Sequence, residues 1–381
     1  MDSFLVDADG EEYSHGPALN SLVRAGLHFG SGVELAPIGV GAHFEIDAIT
    51  GLVMGGAQPL GDYTPGTRPA DTAVIRQASG RFSVGRHLHL QAGMMTSHWG
   101  MGLLANDGAH GWEPGSARFT DPRGGNRVLR ALVAGGPFTE GSILVAAGAD
   151  SVVEDDALLE GDEAYQGIFS VMYGHLQPTR AGMYVVRREQ STALGGEINV
   201  WAFNVTGAHK LGLGEAAILE LHGEAAFITG TTTLSPTPEH TVSDVRQVAA
   251  AARANLDFGP AGAVLDLLYA SGDHDFQDGR QTAFRVDSNY SMGLLLHRYV
   301  VAAHTSRTTA TAVDPELSAF PPPDLDRYPS GGTITNTISI FPRGWWRPAP
   351  GLEIYGGPLF AFAPARQADP YQTNLAGGEP R

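Results

Sequence analysis

The chain contains no cysteine. Disulfides, thiolate nucleophiles and thiolate metal sites are therefore excluded, and the absence fits passage through an oxidising compartment where stray thiols would react. Lysine is nearly absent as well: Lys210 is the only one, and the other basic residues are arginine. Charged residues make up 17% of the chain, against roughly 25% in ordinary soluble domains. Nowhere is there a run of about 20 apolar residues, so a membrane-spanning helix is excluded. The net charge of −17 leaves no basic patch with which to displace counterions from nucleic acid, which excludes that partner. Met1-Asp2-Ser3 followed by Asp7, Asp9, Glu11 and Glu12 does not make a signal peptide, which opens with a positive and then an apolar region. The expectation is that a leader has been trimmed away; cytoplasmic residence is the alternative.

What the chain does have is glycine, 50 of 381 residues, about twice the usual ~7%. Its mean hydropathy of −0.09 is the near-neutral average that alternating strands give. Alternation of period two, the mark of a strand with one apolar and one polar face, recurs along the chain. Val40, Ala42, Phe44, Ile46 and Ala48 fall on one face, with Gly41, His43, Glu45 and Asp47 on the other. Val23 to Gly30, His87 to Met94, Ala217 to Phe227 and Gln247 to Phe258 repeat the pattern. Weaker segments are Arg127 to Gly135, Ser142 to Val153, Ala164 to Gly174, Gly182 to Arg188, Gly196 to Gly207, Gly262 to Ala270, Thr333 to Trp345 and Leu352 to Ala363. With Ile75 to Phe82 paired to His87 to Met95, the count is about fourteen strands, several of them longer than the usual ~5 to 6 residues.

Connection lengths alternate too. Ser83 to Arg86, Pro137 to Gly141, Gly259 to Gly262 and Arg347 to Gly351 are tight, whereas Gly51 to Ala73, Thr96 to Asn126, Gly230 to Asp244 and Asp273 to Gly332 are long. Short turns on one rim and long loops on the other are expected of an outer-membrane barrel, with the turns periplasmic and the loops extracellular. No repeat of 20 to 50 residues emerges, which disfavours propellers and solenoids. The proline-rich stretch Asp314 to Pro329 cannot join a ladder and is expected outside the sheet.

The segment from His98-Trp99-Gly100-Met101-Gly102 through Asn106-Asp107-Gly108 resembles a barrel family of myxobacteria and related Gram-negative lineages. Tyr269-Ala270-Ser271-Gly272-Asp273-His274-Asp275 and Asp278-Gly279 resemble the strand-to-loop segment of alginate-export barrels. The resemblance implies a monomeric barrel of about 16 to 18 strands with a polar lumen. Such barrels end on an aromatic-ended strand, whereas this sequence ends Asn374-Leu375-Ala376-Gly377-Gly378-Glu379-Pro380-Arg381. Two or more further strands are accordingly expected beyond it, with a closed barrel of about fourteen strands as the alternative. The expected fold is thus a single domain over residues 1–381, an all-β, antiparallel up-and-down transmembrane barrel of about 14 to 18 strands, with 16 as the central value.

The polar face nominates lumen-lining residues: Arg24, His28, His43, Glu45, Asp47, His87, His89, Glu220, His222, Glu224, Arg253, Asp257 and Asp266. Histidines on one side make a metal site geometrically conceivable, but the expectation is a hydrated channel wall of mixed sign and no bound metal. Asp273, Asp275 and Asp278 crowd one long loop, where they are expected as mouth charges and as a possible calcium site. The EF-hand register fails there, because the twelfth position from Asp273 is Phe284 and not a bidentate Glu.

Gly100-x-Gly102-x-x-Ala105 and Gly212-x-Gly214-x-x-Ala217 mimic dinucleotide fingerprints but lack the strand-to-helix setting. No Gly-x-Ser-x-Gly elbow is present, and nothing local points to an outer-membrane lipase triad. Trp345, Trp346 and Tyr355 suit headgroup anchors or core aromatics equally. The expected function is an outer-membrane channel, not an enzyme and without a cofactor, passing small polar solutes or exporting a polysaccharide. The alternatives are a barrel that anchors an envelope, motility or secretion partner, and a soluble β-sandwich. Inward folding of Thr96 to Asn126 that leaves no continuous aqueous path would favour the anchor, and extraction by salt alone would favour the sandwich.

Overall fold

The computed structural model describes residues 19–30, 38–54, 71–108, 125–139, 142–174, 177–214, 216–234, 239–274, 278–290, 292–293 and 333–365. The elements in them are all strands: β1 (Leu19–Gly30), β2 (Ile38–Met54), β3 (Asp71–Val84), β4 (Leu88–Thr96), β5 (Arg127–Phe138), β6 (Ile143–Glu154), β7 (Glu163–Tyr173) and β8 (Thr179–Ser191). They continue as β9 (Glu197–Leu213), β10 (Ala217–Thr232), β11 (Ser243–Asp257), β12 (Ala261–Ala270), β13 (Arg280–Gln281), β14 (Thr337–Ala349), β15 (Leu352–Gly356) and β16 (Phe360–Phe362). The prolines at 314–329 and Asp275 lie outside the described residues.

All sixteen strands belong to one sheet with the order β1 through β12, then β14 and β15; β16 pairs β14, and β13 adds a short parallel rung to β11. Each strand along this path runs antiparallel to the next, so the meander follows from short hairpins, which only antiparallel neighbours permit. Among the described residues no ladder joins β1 to β15 or β16. That is why Leu27 and Phe29 on β1 are each 74% exposed, against 38 to 45% for outward residues such as Phe44, Leu221 and Phe203 that have strands on both sides.

Only a few residues separate β3 from β4, β5 from β6, β7 from β8, β9 from β10, β11 from β12 and β14 from β15, and these strand ends all lie on one rim. β4, β10 and β12 end on the other rim, where the chain continues into 97–108, 233–234 and 271–274.

Register aligns the faces from strand to strand. Phe203, Phe227 and Val248 are neighbours on β9, β10 and β11 and all point outward, while Thr206, Glu224, Ala251 and Leu268 are neighbours on the opposite face. The distribution is inverted relative to a water-soluble sheet. The outer face shows Phe44, Leu90, Val133, Phe169, Leu221 and Ile340 at about two-fifths exposure, whereas Asp47, Arg76, Asp150, Glu224 and Asp266 are buried within. So continuous an apolar surface is insoluble in water and is the face a bilayer requires. Replacing Leu221 by Arg should cost roughly 2 to 4 kcal/mol in vesicle-folded protein, while Glu220→Gln on the opposite face should be mild. Equal losses in urea unfolding would refute this assignment of faces.

One expected strand divides. Leu352 to Ala363 forms β15 and β16, separated at Gly357–Leu359. The break lies opposite Pro342 of β14, which has no N–H to donate, and it contains Pro358. Gly357 is required there, because a Cβ would come within 2.0 Å of the Pro342 carbonyl.

Candidate functional site

The interior face carries ion pairs between register partners. Arg24 of β1 grips Asp47 of β2 through two bonds of 2.6 and 2.9 Å, and Arg130 of β5 grips Asp150 of β6 through two of 2.7 Å. Arg253 of β11 reaches Asp266 of β12 at 2.5 Å, and Arg343 of β14 reaches the second Asp266 oxygen at 2.6 Å, so one acid is shared by two cations. Fork geometry of this kind makes the strong form of an ion pair.

Arg76 arrives by a different route. The β2–β3 register skips it, pairing Glu45 with Gln77 and Ile46 with Ile75. This bulge, which leaves one residue unpaired and re-aims its side chain, points the Arg76 guanidinium inward. It lies 3.2 Å from Glu45 and donates to the Asp107 carbonyl.

Two connections from the long-loop rim fold onto this face. Residues 97–108 leave β4 and press Trp99 against Tyr184 of β8 with ring centroids 5.5 Å apart, its indole N–H donating to Asn204 of β9 at 3.0 Å. The loop then meets Glu224 of β10, whose Oε2 accepts from the Met101 N–H at 2.5 Å and the Leu103 N–H at 3.4 Å. Its Oε1 accepts from the Asn204 amide at 2.6 Å. The segment finally returns to Arg76 on β3.

Residues 282–290 and 292 lie beside it and contribute Phe284, Val286, Tyr290 and Met292 to a core shared with Leu103 and Ile334. This core seats on Ala226, Ala249, Ala251 and Ala270, with Leu268 and Phe341. Alanines on the wall leave room for the loop side chains at close-packed density.

The nominated residues are distributed as follows. Arg24, Glu45 and Asp47 join Arg76 in one cluster, and His28 stacks on His43 at 4.0 Å. His89 contacts Ser83 at 2.9 Å and the Gly136 carbonyl at 3.2 Å. Glu220 binds Lys210 at 2.6 Å, and His222 is the register partner of Arg253.

Several positions differ from expectation. His87 sits in the turn at 85–87, exposed and stacked on Phe138, because the strand begins one residue later. Asp257 accepts the Gly259 N–H at 2.6 Å and so caps a turn at the strand end. Asp273 is not an open mouth charge: it is 2% exposed and accepts the Thr282 N–H at 2.9 Å. Asp278 is exposed, as expected, and one of its oxygens accepts the Arg280 N–H at 2.9 Å. Among the described residues, no three His, Asp or Glu side chains are grouped to hold a metal.

Trp99, Asn106, Asn204, Asp287 and Arg343 were not nominated. The one sequence signal for the folded-in loop was Gly100-x-Gly102. Its glycines have φ of +59° and +87°, and a Cβ on Gly100 would lie 2.6 Å from the Glu224 carboxylate. The motif serves close approach to a carboxylate and not to a nucleotide.

No protein-family model matches the sequence, and no curated protein matches it. Among solved structures, OccAB1 of Acinetobacter baumannii superposes with a TM-score of 0.52 at 12% identity, covering 92% of this chain and 77% of that one. OccK8 (OprE) of Pseudomonas aeruginosa gives 0.48 at 11% identity, covering 89% and 78%. The outer membrane channel DcaP of Acinetobacter baumannii gives 0.45 at 11% identity, with the same coverages. The likeness to OccAB1 is one of fold: the chain has the antiparallel up-and-down β-barrel architecture.

Proposed function

We propose that this chain is a passive outer-membrane channel and not an enzyme, and that small polar solutes cross it through an ion-paired lumen narrowed by loops 97–108 and 282–290. The observation that carries the reading is the inversion of faces, apolar outward and ion-paired inward, together with loops that fold inside and constrict the interior without being part of the wall. A hydrocarbon slab tolerates no unpaired backbone, so irregular segments either leave it or fill the interior. The structural neighbour OccAB1 lends the fold.

Arg24, His28, His43, Glu45, Asp47, His89, Glu220, His222, Glu224, Arg253 and Asp266 are the lumen wall in this reading. Because cations and acids are paired across strands, selectivity by sign should be weak. The long loops face the exterior and the tight turns the periplasm. No cofactor is invoked.

Reconstitution in planar bilayers tests the proposal. Discrete current steps are expected, with reversal potentials that shift little from zero under a salt gradient. Silence across preparations would sink the channel. The apolar core shared by the two loops favours the second reading, a plugged barrel that anchors an envelope partner, and that reading would then stand. Passage of a polysaccharide, the cargo suggested by the export-barrel resemblance, would require steps wide enough to admit an extended sugar chain.

A further inference from the structure

Asp287 ties the two inward loops to each other. Its Oδ2 accepts from the Asn106 N–H at 3.0 Å and its Oδ1 from the Asn289 N–H at 2.9 Å. Its own N–H donates to the Leu103 carbonyl at 2.8 Å, and the Asn289 amide donates to the Asn106 carbonyl at 3.2 Å. Three of these four bonds join 97–108 to 282–290.

The residue is 7% exposed, beside the core of Leu103, Phe284, Val286 and Tyr290. The two N–H bonds that its oxygens accept favour the ionised carboxylate, whereas withdrawal from water, the larger effect, and the nearby acid Asp156 favour the neutral acid. The charged group that acts on it is another acid, Asp156 in the β6–β7 connection, whose Oδ2 accepts the neighbouring Ser288 N–H at 3.2 Å. Further down the wall are Tyr184 of β8, Glu224 of β10 and the Arg130–Asp150 pair.

We propose that Asp287 is a proton-operated clasp: in its neutral form it holds the two loops together across the barrel, and ionisation releases them. The effect on flow rests on the channel reading; the release of the loops does not. Burial, with Asp156 beside it, pushes the Asp287 carboxyl up to about 8. In the released, solvated loops it returns to the ordinary carboxylate value of about 3.9. The clasped state is therefore fully favoured below that ordinary value, weakens as pH rises from there towards 8, and loses nothing more above it.

Because the chain has no cysteine, Leu103→Cys supplies a unique buried thiol in the full-length, vesicle-folded protein. Its labelling rate is divided by that of Leu194→Cys, at a loop position 75% exposed, which cancels the intrinsic pH dependence of the thiol. The ratio should rise about tenfold per pH unit between pH 5 and 8 and level off above. In Asp287→Asn it should be flat. In Asp156→Asn it should level off at lower pH, because the repulsive neighbour is gone.

A flat ratio in the parent, or an unchanged rise in Asp287→Asn, overturns the clasp. Should Leu103→Cys prevent folding, Met101→Cys replaces it as reporter. Bilayer currents recorded on the same preparations separate the two ideas. Silence at every pH with intact pH-dependent labelling overturns the channel and supports the clasp. Steady conductance with flat labelling supports the channel and overturns the clasp.

Discussion

Asp266→Ala is expected to destabilise the barrel by about 3 to 5 kcal/mol, since removing one partner of a buried ion pair leaves an uncompensated buried charge. Here one carboxylate serves two arginines. Arg253 and Arg343 converge on the same carboxylate, and the side chains of Arg343 and Asp266 are only 4% and 3% exposed. The wall at β11, β12 and β14 would then hold two arginines that have lost the carboxylate they share. Urea unfolding from vesicles measures the loss. Asp266→Asn should keep some hydrogen bonding but not the charge, and should fall between parent and Ala. A loss below about 1 kcal/mol, the scale of an exposed pair, would show that water reaches and screens this cluster.

Glu224→Ala should act on both stability and the pore. It removes the acceptor for the N–H groups of Met101 and Leu103 and for the Asn204 amide. Each buried donor left without a partner costs about 1 to 3 kcal/mol, so the sum should reach about 3 kcal/mol or more. The loop can avoid that cost by leaving its seat, and single-channel currents should become larger and noisier. Gly100→Ala should reproduce this through sterics alone, because its Cβ would collide with the same carboxylate at a φ of +59°. If both variants conduct like the parent, residues 97–108 do not set the constriction.

The wall was legible in the sequence because the bilayer imposes a period of two. Outward residues in the middle of the strands, such as Phe44, Leu221 and Ile340, are apolar while inward ones such as Asp47 and Glu224 are charged, so Val40 to Ala48 and Ala217 to Phe227 declare both strand and face. The partners across the strands were not legible. Asp266 and Arg343 are far apart in the chain and become neighbours only through the register of β12 with β14. Arg76 escaped because a bulge breaks the alternation at its own position.

The folded-in loops were hardest to read. Leu103, Phe284 and Val286 follow no period, since they pack on a wall belonging to other strands and not along an element of their own. Acids such as Asp273 look like solvent-facing loop charges until the loop is seen to double back onto the Thr282 N–H. Asp287 was hidden for the same reason, as a lone acid whose partners come from a segment that leaves the sheet after β4.

The alanine seat under the two loops has a consequence for how such a barrel can change. Ala226, Ala249, Ala251 and Ala270 belong to one buried cluster with Leu103, Phe284 and Val286. A longer side chain at any of the four would lift the loops, and a bulkier loop residue would find no hollow. Wall and loop are therefore free to vary only together. Grafting residues 97–108 from this protein into another barrel should transfer neither the constriction nor its width unless the four wall positions travel with it.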